Sequence, residues 1–156
     1  MTSDELSHVL GLTSGDEKVK DFLTRFGITK RPKLKRGEET AYLENEKLGL
    51  EITFRDERYL DVESVDYEEG DLVLSSLRMY GPDHDIFSCF DEDKLPLGLK
   101  FEYGFKEVEA KLKKKPAWQN KSLAKARWDL KGYCVFVTFG KKLRNTRIVS
   151  VQLPVA

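Results

Sequence analysis

The chain is poor in the residues from which most catalytic sites are assembled. His8 and His84 are its only histidines, and Cys89 and Cys134 its only cysteines, in 156 residues. It contains no Gly-x-Ser-x-Gly elbow, no Gly-x-x-x-x-Gly-Lys loop and no Gly-x-Gly-x-x-Gly turn. The local signatures of an activated serine, a P-loop and a dinucleotide site are therefore missing. Two cysteines do not make a secreted disulfide framework. No apolar run approaches the ~20 residues that cross a bilayer. The opening Met-Thr-Ser-Asp-Glu shows no basic stretch leading into an apolar core, so no secretory signal is read there. What is present belongs to a folding chain. Hydrophobic residues make up 40% and aromatics 11%, which excludes disorder, and a chain of this length buries about two-thirds of its surface as one domain without a metal or disulfide. The expectation is a soluble, cytoplasmic α+β protein that is not an enzyme and carries no cofactor.

Charge is balanced overall but not along the chain. Residues 1–50 hold nine charges of each sign. Residues 51–93 hold fourteen acids against Arg55, Arg58 and Arg78, a net of −11, and residues 94–156 hold fifteen bases against four acids, a net of +11. Either these blocks neutralise one another across the fold, or they form separate faces. In the second case an acidic face attracts a basic protein and repels nucleic acid.

The chain also reads as two similar units. Leu10-Gly-Leu12 precedes a helical pattern with Val19, Phe22, Leu23 and Phe26 on one face, capped by Ser14 or Asp16 and stopped by Gly27. Leu97-Gly-Leu99 precedes Phe105, Val108 and Leu112 at helical spacing, with Pro116 beyond. After each helix come strand, tight turn and strand. The first unit has Ala41-Tyr-Leu-Glu44, Lys47-Leu-Gly49 and Leu50-Glu-Ile52-Thr-Phe54. The second has Arg127-Trp-Asp-Leu130, Lys131-Gly132 and Tyr133-Cys-Val135-Phe-Val137-Thr-Phe139. Ile52-Thr-Phe54 and Val137-Thr-Phe139 match almost residue for residue. Third strands follow at 72–79 and 147–153, with Ser76-Leu-Arg-Met79 matching Ser150-Val-Gln-Leu153. The predicted fold is α+β: two helix-plus-three-stranded antiparallel meander units, about 10–82 and 95–154, packed as one compact domain and joined by an acidic linker, 83–94. The first unit has an acidic insertion, 56–71, where the second has only 140–146.

Three chemistries were weighed on these residues. Asp83-His84-Asp85, near Cys89 and Asp91-Glu92-Asp93, offers oxygen ligands without the spacing of a calcium loop or a second nearby histidine or cysteine for zinc; it reads as a solvated acidic loop, and no metal is expected. A hydrolase using Asp/His chemistry around His84 is the weakest reading. Nucleic-acid binding is the alternative function: four lysines in 111–115, then Trp118, Lys121, Lys125, Arg127 and Trp128, interleave cations with stacking rings. The competing explanation is a solvated helix end beside core tryptophans.

Two stretches carry a resemblance: Leu95-Pro-Leu-Gly-Leu-Lys-Phe101 with Val108, Leu112, Pro116 and Trp128-Asp-Leu130, and Arg31-Pro-Lys with Lys47-Leu-Gly-Leu-Glu-Ile-Thr-Phe54. Over roughly residues 10–154 the chain resembles small bacterial immunity proteins encoded beside secreted polymorphic toxins. The architecture is similar to the tandem helix-plus-sheet repeat of β-lactamase inhibitory protein and small outer-membrane assembly lipoproteins. The resemblance implies a cytoplasmic inhibitor that binds a cognate toxin domain, and it carries over no catalytic residue. An acidic face suits a basic toxin, so the expected partner-binding residues are Asp61, Glu63, Asp66, Tyr67, Glu68 and Glu69 in the insertion, and Asp83, Asp85, Phe87, Phe90, Asp91 and Glu92 in the linker. Phe87 and Phe90 are either anchors for the partner or a plug over the seam between the units. Neither nucleic acid nor membrane is expected as a partner.

Overall fold

In a computed structural model of the chain, residues 1–60 and 66–154 are described. The protein is α+β. The helices are α1 (Ser3–Val9), α2 (Glu17–Thr24) and α3 (Phe105–Leu112). The strands are β1 (Thr40–Asn45), β2 (Leu50–Asp56), β3 (Leu72–Tyr80), β4 (Trp118–Asn120), β5 (Lys125–Leu130), β6 (Tyr133–Phe139) and β7 (Thr146–Gln152). All seven strands join one antiparallel sheet in the order β1-β2-β3-β7-β6-β5-β4. Two meanders therefore meet where β3 pairs with β7.

Local chemistry accounts for the elements. Asp16 caps α2 by accepting from the Lys18 amide at 2.9 Å. The sequence reading missed α1, which opens with a reciprocal capping box between Thr2 and Glu5. That Glu5 carboxylate is held below its ordinary pKa first by the Thr2 backbone bond and then by Arg25, 2.7 Å away on the turn after α2. The strands alternate as predicted. Leu43, Ile52, Leu77, Val151, Val135 and Trp128 form one buried line across six strands, against which Leu6, Val19, Phe22 and Val108 of the helices pack.

The two meanders share a detail. β3 bulges at Ser75 opposite Thr53 and Phe54 of β2, and β7 bulges at Arg147 opposite Thr138 and Phe139 of β6. The matched Thr-Phe pieces thus sit at the same irregularity. Aligning through it sets Ser76 opposite Ile148 in the comparison, two residues away from the match to Ser150 read in the sequence. The segment leading to each helix shows the same offset. Leu12 O accepts from Leu74 N–H, and Phe101 O accepts from Thr146 N–H, so Leu12 corresponds to Phe101 rather than to Leu99. A slip of two leaves every strand residue on its face, which is why the apolar pattern could not detect it.

Candidate interaction face

The residues expected to bind a partner fall in three groups. Asp61 and Glu63 lie outside the described residues. Asp66, Glu68 and Glu69 are exposed, in a segment tied down by its neighbours: Tyr67 donates its hydroxyl hydrogen bond to Gly11 O at 2.6 Å, and Asp71 Oδ2 accepts from the Glu68 amide. Burial, reinforced by Asp71, pushes the Tyr67 phenol up. Asp83, Asp85 and Asp91 are exposed in the linker, while Glu92 is half-buried with its carboxylate accepting from the Phe101 amide at 2.9 Å. Asp91 caps a short 3-10 turn by accepting from Asp93 N–H.

Phe87 and Phe90 are not on the free surface. Phe90 is 1% exposed in the core, its ring 6.2 Å from that of Phe26. Phe87 is buried, stacked on Tyr80 with ring centroids 4.0 Å apart. Both rings are packing residues rather than free anchors, but they close on the first unit, against Tyr80 and Phe26. Among the described residues no ring contact places them over the seam between the units. His84 is likewise structural: its Nδ1 accepts from the Ile86 and Phe87 amides at 3.2 and 3.1 Å, and its ring lies 4.6 Å from that of Tyr80. Among the described residues, no group of three or more metal-ligating side chains comes together. The Cys89 thiol is pushed up by burial first, then by Glu92, Asp83 and Asp91, which disfavours thiolate.

The acids do not form one face. The 66–69 segment lies before the start of β3 and the linker leaves from its end, so the two clusters are separated by the strand's length, about 26 Å at 3.3 Å per residue. One ring leaves the basic stretch. Trp128 is 0% exposed, and its indole N–H donates to Lys114 O at 2.9 Å, so it is a core residue. Lys114 in turn binds Asp129 O through its ammonium group.

What the structure brings together was not legible strand by strand. All three helices contribute to the core on one face of the sheet; among the described residues no helix packs on the opposite face. That opposite face is covered at the end of β3, where Phe87 of the linker stacks on Tyr80, and it buries Val73, Cys134 and Ser150, while its middle and its outer strands reach solvent. Across that face the pairing aligns Glu44, Glu51, Arg78, Ser150, Phe136, Arg127 and Trp118, one residue from each strand, in a single transverse row. The row passes from two carboxylates through an arginine and a serine to an aromatic–cation–aromatic end. At the acidic end, burial pushes the Glu51 carboxyl up, Arg78 at 3.8 Å pulls it back, and hydrogen bonding with Glu44 pushes it up again. A groove of about 720 Å³ runs beside this end, lined by Tyr42, Arg55, Tyr59, Ser76 and Gln152 among others. At the other end the Trp118 and Phe136 rings meet edge to face at 6.0 Å, the Lys125 ammonium sits 5.2 Å from the Phe136 centroid, and Arg127 Nε lies 2.9 Å from Asp129 Oδ1. Burial, then the Arg78 charge, lowers the Lys125 pKa. Tyr42 is 56% exposed and Trp118 37%.

The signal that could have found this face was Phe136. It is an apolar residue at an outward position of β6, as Tyr42 is in β1 and Ile148 in β7, and it marks an aromatic where water would otherwise be. Comparison of the chain with protein-family models, with curated proteins and with solved structures returns no match. The functional reading therefore rests on the face itself.

Proposed function

We propose that the chain is an inhibitor of the immunity type, which neutralises a secreted toxin domain in the cytoplasm by holding it against the open face of the sheet. The observation that carries this reading is the transverse row, which ends in exposed Trp118 and has exposed Tyr42 beside its other end. Tyrosine, tryptophan and arginine are the residue types that dominate binding energy at protein interfaces. Size agrees. Seven strands at about 4.8 Å span roughly 29 Å, and strands of about 20 Å give ~600 Å², close to the ~800 Å² per partner of a standard interface. The exposed acids at both ends of β3 would then steer a basic toxin rather than anchor it.

The test is co-expression with the toxin domain encoded beside the chain's gene. Wild type restores growth. Tyr42→Ala, Arg78→Glu and Trp118→Ala together abolish protection while the far-ultraviolet dichroism and melting temperature stay near wild type. Full protection by that folded variant places the interface elsewhere.

One observation favours a second reading. Trp118, Phe136, Lys125 and Arg127 resemble a platform for stacking a base beside phosphate contacts. Fluorescence anisotropy of a labelled single-stranded dodecanucleotide decides it: affinity that falls steeply from 50 to 200 mM salt and vanishes in Trp118→Ala supports nucleic acid.

A further inference from the structure

The two edges of the sheet are defended unequally. The β4 edge is three residues long, preceded by Pro116, which has no N–H, and flanked by Lys113, Lys114 and Lys115. A short strand, proline and lysines are the usual means of blunting an edge. The β1 strand itself contains neither proline nor lysine, and its neighbouring cations stand across a groove from it. It is six residues long, Thr-Ala-Tyr-Leu-Glu-Asn.

Its free hydrogen-bonding groups follow from the register. Asp56 N–H donates to Glu39 O in the same ladder that pairs Ala41 with Phe54 and Leu43 with Ile52. Hydrogen-bonded pairs alternate along an antiparallel ladder, so Ala41, Leu43 and Asn45 bond inward to β2. Thr40, Tyr42 and Glu44 therefore aim their N–H and C=O groups out of the sheet.

Those groups face a groove of about 800 Å³ that runs the length of β1. The opposite wall is the segment 28–37, and no backbone hydrogen bond joins residues 29–37 to β1. This segment holds Lys30, Arg31, Lys33, Lys35 and Arg36, all exposed, and no acid. Ile28 is buried and Leu34 packs on the core, which pins the wall in place. Three carboxylates also line the groove: Glu38 and Glu46 belong to its two ends, and Glu44 to the open sheet face.

We propose that the β1 edge is a strand-acceptor site, where an extended acidic segment of a partner protein adds to the sheet as an eighth strand. Its backbone pairs with Thr40, Tyr42 and Glu44, and its carboxylates meet the cations of the 28–37 wall. Ladder bonds supply affinity in this mode, and side chains alternating across the added strand supply selectivity. Lys30, Lys33 and Lys35, which line the groove beside this unpaired edge, select acidic side chains on one face of that strand. The site is separate from the open-face reading, and its test uses a free peptide rather than a toxin.

The probe is an acetylated, amidated octapeptide in which glutamate alternates with threonine and valine, titrated into the ¹⁵N-labelled full chain. The expected result is saturable shifts centred on the Thr40, Tyr42 and Glu44 amides, with slowed exchange of those protons. A peptide with lysine in place of glutamate binds at least about tenfold more weakly, and so does one N-methylated at alternate amides. Tyr42→Pro, which removes an outward N–H at an edge position where proline is tolerated, binds at least about tenfold more weakly than Tyr42→Ala. If Tyr42→Pro does not fold, the N-methylated peptide on the wild-type chain makes the same distinction. No binding, equal binding of the lysine peptide or undiminished binding of the N-methylated peptide overturns the proposal. Self-association of the chain through β1 overturns the stated occupant in favour of a second copy.

Discussion

The half of the sheet built from β1 to β3 and the half built from β4 to β7 run the same course with different finishing. Each follows a helix, each bulges in its third long strand opposite a Thr-Phe pair of the second, and each is met at that third strand by the segment that leads into its helix. They differ where they meet solvent. The first half turns between β1 and β2 through 46–49, keeps an undefended edge and carries both acidic clusters. The second turns between β5 and β6 through Lys131 and Gly132, blunts its edge and holds an excess of cations, with Trp118 exposed on β4. The apolar pattern that builds a meander is thus common to both halves, while edges and turns are free to specialise for contact.

The largest expected effects test whether the halves are equal in the core. Phe54 and Phe139 stand opposite the two bulges and are 0% and 3% exposed. Phe54→Ala and Phe139→Ala should each cost about 3–5 kcal/mol in urea denaturation, the usual range for emptying a buried aromatic site. A loss below ~1 kcal/mol in one of them breaks the correspondence between the halves.

The turn glycines separate the halves more finely. Both have positive φ, +73° at Gly49 and +86° at Gly132. An alanine Cβ at Gly132 would meet nothing nearer than Ser7 Cβ at 3.7 Å. Gly132→Ala should therefore cost only the left-handed backbone penalty, about 1–2 kcal/mol. At Gly49 the same Cβ would stand 2.1 Å from Ser88 O and 2.7 Å from Phe90 N, backbone atoms of the docked linker. Gly49→Ala should cost about 3 kcal/mol or more and loosen residues 88–90, seen as faster amide exchange there. Equal losses at the two glycines would mean that the linker does not rest on the first turn.

These contrasts show what the sequence could and could not tell. β6 and α3 were read with the bounds they have, 133–139 and 105–112, because strict period-two and helical spacing is flanked by glycine and proline. α1 and β4 were missed because seven and three residues hold too little periodicity, although Thr2 and Glu5 spell a capping box. Phe87 and Phe90 looked like surface anchors because their sequence neighbours are acidic. Their true neighbours, Tyr80 and Phe26, become adjacent only when the linker folds back over the end of β3. The transverse row was beyond reach for the same reason: it takes one residue from each of seven strands, and the junction of β3 with β7 is written in no local pattern.

Protonation distinguishes the halves next, since only the first has a carboxyl pair in its row. Glu51 binds its proton more tightly folded than at the unfolded value of 4.5. Its ionisation therefore costs stability: the penalty is absent below pH 4.5, grows as pH rises through the elevated folded value, and is complete above it. Glu51→Gln removes that term, so the stability of the variant relative to wild type should rise with pH from 4.5 upward. The change stays within about 1 kcal/mol, because Arg78 is 43% exposed and its ion pair is screened. Denaturation midpoints at pH 4.5, 6 and 7.5 measure it, and a difference that shrinks with pH contradicts the assignment.

The smallest effects on stability, and the most informative for docking, come from the acids at the two ends of β3. Asp66, Glu68 and Glu69 are exposed at one end; Asp85 and Asp93 are exposed at the other, without the positive φ of Asp83 or the capping bond of Asp91. Reversal of either set to lysine should change stability by no more than about 0.5 kcal/mol. The two sets lie about 26 Å apart along β3, well beyond the ~8 Å over which charges act at physiological ionic strength, so they steer a basic partner independently. Glu44, Glu51 and Arg78 stand near the linker end of β3, within two residues of Tyr80 in the pairing register. If the chain holds a basic toxin on that row, as proposed, Asp85 and Asp93 would be its main guides. Their reversal should slow association about tenfold at 50 mM salt and flatten its salt dependence, whereas reversal of the 66–69 set should change the rate by less than about twofold and leave dissociation unaltered. Stopped-flow association at two salt concentrations reads both. Equal slowing by the two sets would mean that the partner senses net charge alone, and slowing by the 66–69 set only would move the docking surface to the far end of β3.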